Sequence, residues 1–191
     1  MRNNTVLAYL TAAIISGTVC NAFAADDQGA GTITFSGNII SAPCSIASSD
    51  LNQTVELGNV SDSIIKSGNT SSPVDFSIHL QDCILSTRSG ESTTTIDKVK
   101  VTFTSSATNT TDTSLMKNSL EGSLGGATGV GVRLLDSNSK NVTLGTPVAV
   151  NFANTNANQE LNFKARMETV AGSTVTPGAV QAQANYVLDY K

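Results

Sequence analysis

The side chains that could carry out chemistry in this chain are few. His79 is the only histidine, and no serine or cysteine nucleophile is visibly paired with it in the sequence. Ser-His-Asp or Cys-His catalysis would depend on this one residue, and one histidine cannot complete a zinc or copper site. We expect His79 to be a solvated histidine on the polar face of a strand. The sequence predicts neither an enzyme nor a metal centre.

The glycine-rich segment Gly122–Gly131 invites comparison with a phosphate-binding loop. Val132 and Arg133 follow it in place of the required Lys-Ser/Thr pair, and it does not lie between a strand and a helix. Nothing marks a pair of carboxylates for glycoside hydrolysis either. We interpret the segment as a loop leading into a strand at Val130–Leu135, and we predict no cofactor.

The first 24 residues have the features of an export signal. Arg2 gives a short positive region, and Val6–Val19 is an apolar run too short for a permanent membrane anchor. Ala22 and Ala24 then form the small–x–small pattern that signal peptidase cleaves. We expect the mature chain to begin at Ala25 and to be exported.

Two cysteines, Cys44 and Cys83, remain once Cys20 leaves with the signal. In an oxidising compartment a disulfide is the default interpretation. It would close a loop of roughly 40 residues and stabilise the fold by about 4 kcal/mol in the chain-entropy model. A reactive thiol or a metal-binding pair is the alternative, although the chain has no CxxC spacing.

The composition is that of one weakly charged β domain. Charged residues make up 14% of the chain, with 11 Lys and Arg against 15 Asp and Glu. The absence of a basic patch argues against nucleic acid as a partner and disfavours an anionic membrane surface. The length suits a single domain with a sizeable core.

Strand signals recur at short intervals along the chain. Apolar and polar residues alternate as in strands with one buried face, which favours a many-stranded β-sandwich. No segment of helical length carries a sustained apolar stripe, and the best helical candidate is Leu115–Leu120. The predicted strands cover residues 74–81, 98–104, 130–135, 142–144, 148–152, 161–167 and 184–190, and the predicted polar turns cover 61–72, 86–95, 105–114, 153–159 and 171–178.

A further alternating segment, Gly31–Ile40, precedes the first retained cysteine. Its apolar face carries Ile33, Phe35, Gly37 and Ile39, and the polar residues between them lie on the other face. Such a strand must be buried against its own domain or against another copy, and the residues alone do not decide between the two.

Several segments together resemble the chaperone–usher pilins, most closely the major rod subunit of type 1 fimbriae. The resemblance runs in order from residue 31 to the end of the chain, and the ordered set with both cysteines is more specific than any single segment. The Ser86–Thr95 loop has no clear family signature. The matching segments are 31–46, 53–58, 76–83, 131–136, 161–166, 176–178 and Tyr190.

The resemblance implies an all-β fold, an incomplete immunoglobulin-like β-sandwich completed by a donor strand from a neighbouring subunit. It implies a signal peptide at 1–24, an N-terminal extension at 25–42 and a pilin domain at 43–191. The donor residues would be Ile33, Phe35, Gly37 and Ile39, with Gly37 placed where the groove wall comes too close for a side chain.

The resemblance also assigns a role to the last strand and names the partners. That strand would form one groove edge and contact the chaperone, whose basic residues would hold the terminal carboxylate; its residues are Tyr186, Leu188, Tyr190 and Lys191. The expected partners are other copies of the chain, other pilins, a periplasmic chaperone and an outer-membrane usher, with no nucleic acid and no small-molecule cofactor.

The function that follows is that of a structural fimbrial subunit, exported through the periplasm to the cell surface and supporting cell adhesion. The alternative is a secreted single-domain immunoglobulin-like binding module, with the Ile33–Ile39 strand paired in its own domain. An enzyme is a distant third, because His79 stands alone.

Overall fold

The computed structural model describes residues 31–89 and 91–191. Residues 31–39 belong to one structural unit and residues 40–191 to a second. Within the described residues no helix is both long enough and apolar enough to cross a membrane. The elements of the second unit are β1 Ser45–Ile46, a 3-10 helix Ser48–Asp50, α1 Asp62–Lys66, β2 Val74–Gln81, β3 Ser86–Ser89, β4 Ser92–Thr95, β5 Lys98–Thr104, β6 Leu115–Lys117, β7 Val130–Asp136, β8 Val148–Asn151, β9 Gln159–Thr169 and β10 Asn185–Tyr190.

Two antiparallel sheets form a sandwich. The larger has the order β1-β2-β9-β7-β6 and the smaller the order β10-β5-β8, while β3 and β4 form a separate hairpin. Phe103 of β5 packs edge-on against Phe163 of β9, with ring centroids 4.9 Å apart, so the apolar faces of the two sheets meet. Alternation explains this packing, because one face of each strand enters the core.

The two retained cysteines form a disulfide, Cys44–Cys83, and both side chains are buried. Cys44 lies just before β1 and Cys83 just after β2, and these two strands pair through Ser45 with Gln81. The disulfide interpretation is confirmed, and the bond ties the start of the sandwich to its second strand.

Within the second unit, the predicted strands agree with the structure except in one place. Residues 142–144 form no strand; instead Asn141 makes an isolated bridge with Leu135, and the Val142 N–H donates to the Leu134 carbonyl at 2.9 Å. The side-chain Oδ1 of Asp136 accepts hydrogen bonds from the backbone N–H groups of Asn138 and Lys140. These bonds stabilise a tight turn after β7, so the chain needs no strand pairing there.

Three short elements differ from the sequence prediction. Leu115–Leu120, the best helical candidate, begins with strand β6, because Leu115–Lys117 pairs with β7. The predicted turn 61–72 contains α1, where Asp62 and Lys66 form an ion pair at 2.6 Å one helical turn apart. The predicted loop 86–95 is the β3–β4 hairpin.

A candidate strand-accepting groove

The last strand of the chain is paired on one side within the described residues. β10 forms an antiparallel ladder with β5 from Asn185 opposite Thr104 to Tyr190 opposite Val99, and it stands at the end of its sheet. A strand in this position leaves alternate N–H and C=O groups along its second edge without a ladder partner. Such an edge can accept another strand.

An open groove of about 1420 Å³ runs between the two sheets and reaches the first residues of β10, Asn185 and Tyr186. Its floor is apolar and is built from the inward-facing side chains of both sheets, and its far rim is the extended stretch before β10. Residues lining the floor include Phe76, Ile78, Phe103, Met116, Val132, Leu134, Ala165 and Met167, and the rim includes residues 175–186.

The opposite rim of the groove is formed by residues 54–60. This segment has no regular secondary structure, and no backbone hydrogen bond joins it to any other described residue. Val55 and Leu57 are half-buried, whereas Thr54 and Glu56 between them are exposed. The segment therefore has the alternation of a strand and lacks a strand partner among the residues that the structure describes.

Asp50, the last residue of the 3-10 helix, connects β2 with β10. Its backbone carbonyl accepts a hydrogen bond from the Tyr186 hydroxyl at 3.1 Å, and its carboxylate accepts the His79 N–H at 2.6 Å. The His79 Nδ1 lies 2.8 Å from the same carboxylate oxygen. Burial opposes the charge, but the hydrogen bonds from His79 and Ser49 hold the pKa of the Asp50 carboxyl below its ordinary value.

The inward side chains of β10 are half-buried. Tyr186, Leu188 and Tyr190 face inward, while Asn185, Val187 and Asp189 are exposed. Burial, followed by the neighbouring Tyr186, raises the pKa of Tyr190 to about 12. The same three inward side chains line a second, mostly apolar cavity of about 160 Å³ with Ile40, Ala42, Cys44 and Ile46.

The C-terminal residue is aligned with the sheet. The Lys191 N–H donates to the Lys98 carbonyl at 3.0 Å, and the Lys191 carboxyl oxygen accepts the Asp97 N–H at 3.2 Å. The Lys191 ammonium lies 3.3 Å from the Asp189 carboxylate. Of the predicted groove-edge and chaperone-contact residues, Tyr186, Leu188 and Tyr190 therefore lie on β10, and Lys191 follows directly and is held in register by its bonds to Asp97 and Lys98.

The predicted donor residues lie in the other unit. Residues 31–39 have no regular secondary structure, and Ile33, Phe35 and Ile39 are 78%, 89% and 105% exposed. All nine residues 31–39 are exposed, and no strand ladder includes them among the described residues. The predicted signal cleavage residues Ala22 and Ala24 lie outside the described residues.

The side chains considered for catalysis form no recognisable catalytic arrangement. His79 contacts Asp50 and lies 3.9 Å from the Glu160 carboxylate, and no group of three or more potential metal ligands occurs in the described part of the chain. The most buried charged cluster joins Arg133 to Glu168 at 3.1 Å and to Asp112. Arg166 also contacts the Glu168 carboxylate at 2.6 Å, so two arginines pair with two carboxylates, and the Asp112 contact holds the 105–114 loop against β7.

Most of the chain matches known proteins. The family model described as Fimbrial protein matches residues 33–191. The chain belongs to the fimbrial protein family. It is 53% identical over 171 residues to the fimbrial-like protein YgiL of Escherichia coli K12, with 90% of each chain covered. It is 33% identical over 185 residues to the type-1 fimbrial protein A chain of the same strain, with 95% of this chain and 94% of the relative covered.

A solved structure extends the likeness to three dimensions. A subunit of a chaperone-usher pilus, studied for the molecular basis of rod uncoiling, superposes with a TM-score of 0.68 at 27% identity, covering 86% of this chain and 97% of that one. This fimbrial protein thus has the incomplete immunoglobulin-like sandwich that the resemblance implied. It is a structural fimbrial subunit, and its place is the extracellular fimbria.

Two parts of the groove were missed by sequence reasoning. The rim residues Val55 and Leu57 were recognised only within a family-like segment, although their alternation with Thr54 and Glu56 was a usable signal. The bond between Asp50 and Tyr186 joins residues 136 positions apart in sequence. No local pattern predicts a contact of that range.

Proposed function

We propose that copies of this fimbrial protein polymerise by donor-strand exchange, each inserting residues of its 25–42 extension into the groove of the 43–191 domain of the next copy. The observation that carries the proposal is an apolar groove that reaches Asn185 and Tyr186 of β10, together with two edges that lack ladder partners among the described residues, the segment 54–60 and the outer edge of β10. An extended peptide between them would gain backbone hydrogen bonds on both sides. Pilins are a known example of this mode of recognition.

The donor segment matches the groove in chemistry. Ile33, Phe35 and Ile39 are exposed apolar side chains that would share one face once the segment is extended as a strand, and the groove floor is apolar. Burial of each contributes on the order of 2 kcal/mol before entropy costs. Gly37 occupies the position at which we expect the floor to leave no space for a side chain.

The joint is expected to be durable because it completes a core. Dissociation would expose the apolar floor and the rims again, so the barrier to separation resembles that of unfolding. A head-to-tail contact of this kind does not close on itself and therefore builds an open filament. This filament would support adhesion as a structural element, without catalysis.

The open groove also accounts for the remaining partners. An uncovered groove exposes apolar surface and strand edges, which is an aggregation hazard, so a periplasmic chaperone would cover it before assembly. The chaperone would contact Tyr186, Leu188 and Tyr190 and hold the Lys191 carboxylate with basic residues. An outer-membrane usher would then receive the complex, in line with the chaperone-usher pilus that the fold resembles.

Deletion of Gly31–Ile40 tests the donor role. We expect the shortened subunit to fold when bound to the chaperone and to accept the 25–42 peptide in its groove, but to fail to cap the groove of another copy. Native mass spectrometry of mixtures with the intact chain distinguishes these two activities. If the deletion instead unfolds an otherwise stable monomer, the segment pairs in its own domain and the binding-module interpretation is correct.

Extension of the C-terminus tests the chaperone contact separately. Several residues added after Lys191 should abolish capture by the chaperone, because the carboxylate would move away from its basic partners. Co-purification of the subunit with the chaperone measures this. Normal fimbriation of the extended chain would contradict the carboxylate contact and leave the donor role intact.

A further inference from the structure

The loop Leu120–Ala127, named here the Leu124 loop, carries the most exposed large apolar side chain of the folded unit. Leu124 is completely exposed. The loop is nevertheless well defined: Ser123 donates its N–H to the Leu120 carbonyl at 3.0 Å and Gly126 donates to the Ser123 carbonyl at 3.1 Å. Gly125, next to Leu124, has φ +83°, which favours glycine.

A buried asparagine fixes this loop beside the groove. Asn118 is 1% exposed, and its Nδ2 donates to the carbonyls of Ala127 at 2.8 Å and Ala179 at 3.0 Å. Its Oδ1 accepts the Gln181 N–H at 2.9 Å. Because residues 179–181 line the groove before β10 and the Ala179 N–H donates to the Gly125 carbonyl at 2.8 Å, the Leu124 loop borders that end of the groove.

The antiparallel pairing in both sheets indicates the direction in which an inserted strand would run. Every ladder in both of them is antiparallel, so a strand added to β10 in the same sense would run from Tyr190 toward Ala179. Its last residues, Ile39 and Ile40, would then lie at the end of the groove that the Leu124 loop borders. The domain of the donating copy must begin there.

The donating copy presents an exposed apolar residue near that point. Ile84 is 68% exposed, second only to Leu124 among the large apolar side chains described in the folded unit. Its N–H donates to the Pro43 carbonyl at 2.8 Å, and Cys44 and Cys83 are disulfide-bonded beside it. The residues from Ile40 to Cys44 span at most about 17 Å, so the Ile84 surface stays close to the junction.

We propose that Leu124 of the accepting copy packs against the surface around Ile84 of the donating copy, as a second contact at each joint beside the inserted strand. This inference rests on the proposed function, because it takes the path of the donor strand from it. The partner is therefore a second copy of this chain. The contact would brace the joint where the peptide leaves the groove.

Fibres assembled from the mature chain provide the test. We compare wild type, Leu124→Ser, Ile84→Ser and the double variant by the rate at which guanidinium chloride releases monomers. Each single serine variant should release monomers about tenfold faster, because one apolar contact is lost. The double variant should also be about tenfold faster, because both side chains belong to one contact. Leu124→Met should behave as wild type.

The 25–42 peptide separates this inference from the proposed function. The peptide lacks the Ile84 surface, so it should stabilise wild type and Leu124→Ser equally. Failure of the peptide to stabilise the wild-type chain would contradict the proposed function itself. If the peptide binds and the fibres of Leu124→Ser release monomers at the wild-type rate, or if the two serine effects multiply to about a hundredfold, the Leu124–Ile84 contact is wrong.

Discussion

Strands β5 and β10 lie side by side with matched alternation, yet their inner faces are buried to different degrees. The β5 residues Val99, Val101 and Phe103 are 0–2% exposed, whereas the β10 residues opposite them are only half-buried. β5 has a strand on each side, while β10 has β5 alone among the described residues. The residue pairs are Val99 with Tyr190, Val101 with Leu188 and Phe103 with Tyr186.

The difference shows that one side of the sandwich is complete and the other is not. An apolar face alternates in the same way whether or not a neighbouring strand covers it, so burial depends on the number of neighbours. The inward apolar side chains of β10 are only half-buried, because no strand covers its open edge among the described residues. A strand added at its open edge would give β10 the same environment as β5.

The largest effect is expected when the donor segment can no longer cover the open edge of β10. Phe35→Asp should abolish fibre assembly, because a carboxylate would have to enter an apolar groove without a partner. Ser36→Asp is the matched control, since its side chain lies on the opposite face and should leave assembly intact. Assembly of the two variants is measured by electron microscopy of fibres and by gel electrophoresis of denaturant-resistant multimers. Equal assembly by both would rule out a face-specific insertion.

Removal of the disulfide tests the part of the sandwich around β1 and β2, which needs no added strand. The double variant Cys44→Ala, Cys83→Ala should lower the free energy of unfolding by about 4 kcal/mol, since its loop of 39 residues becomes unconstrained in the unfolded chain. Guanidinium unfolding of the mature chain filled with the 25–42 peptide measures the loss, with the peptide-filled wild type as reference. An unchanged midpoint would mean that the disulfide adds no net stability to the sandwich.

A pair of alanine variants measures how much burial of a β5 side chain and of a β10 side chain contributes to stability. Val101→Ala should cost about 2–3 kcal/mol of unfolding free energy whether or not the groove is filled, because its site is already closed. Leu188→Ala should cost about 1–2 kcal/mol with the groove open and about 2–4 kcal/mol once the peptide fills it. Equal costs for Leu188→Ala in the two states would show that insertion does not bury the face of β10.

The smallest effect concerns the ionisation of β10. Burial raises the pKa of Tyr190 to about 12, above its ordinary value near 10. The unfolded chain therefore loses this proton first, so the stabilisation is complete below about pH 10 and is lost as the pH rises toward about 12. Ultraviolet titration of phenolate should show the late transition, and Tyr190→Phe should remove it. Titration of all tyrosines near pH 10 would show that β10 is solvated.

The sequence predicted those strands in which one face enters the core. Residues 74–81, 98–104 and 161–167 alternate strictly, and the structure places their apolar side chains, apart from Val74, in the core or packed against it. Alternation carries this information because one buried face leaves a period of two residues. It also identified β10, although it could not say that β10 would lack a second neighbour.

The errors arose where an element is too short or too polar for a pattern. α1 has five residues, β6 has three, and the β3–β4 hairpin has no apolar alternation, since both of its faces are solvated. The groove itself was inferred from the family resemblance. A missing strand leaves no sequence signal of its own, because its neighbours keep the alternation of ordinary strands.

The β3–β4 hairpin has one more consequence, for fibres that lie next to one another. All eight of its strand residues are exposed, and seven of them are serine or threonine, with Arg88 as the eighth. Water can hydrate such hydroxyls on both faces of the hairpin. The hairpin therefore presents no apolar patch to which a neighbouring fibre could bind. Wherever this hairpin lies on the outer surface of a fibre, it disfavours lateral association of fibres.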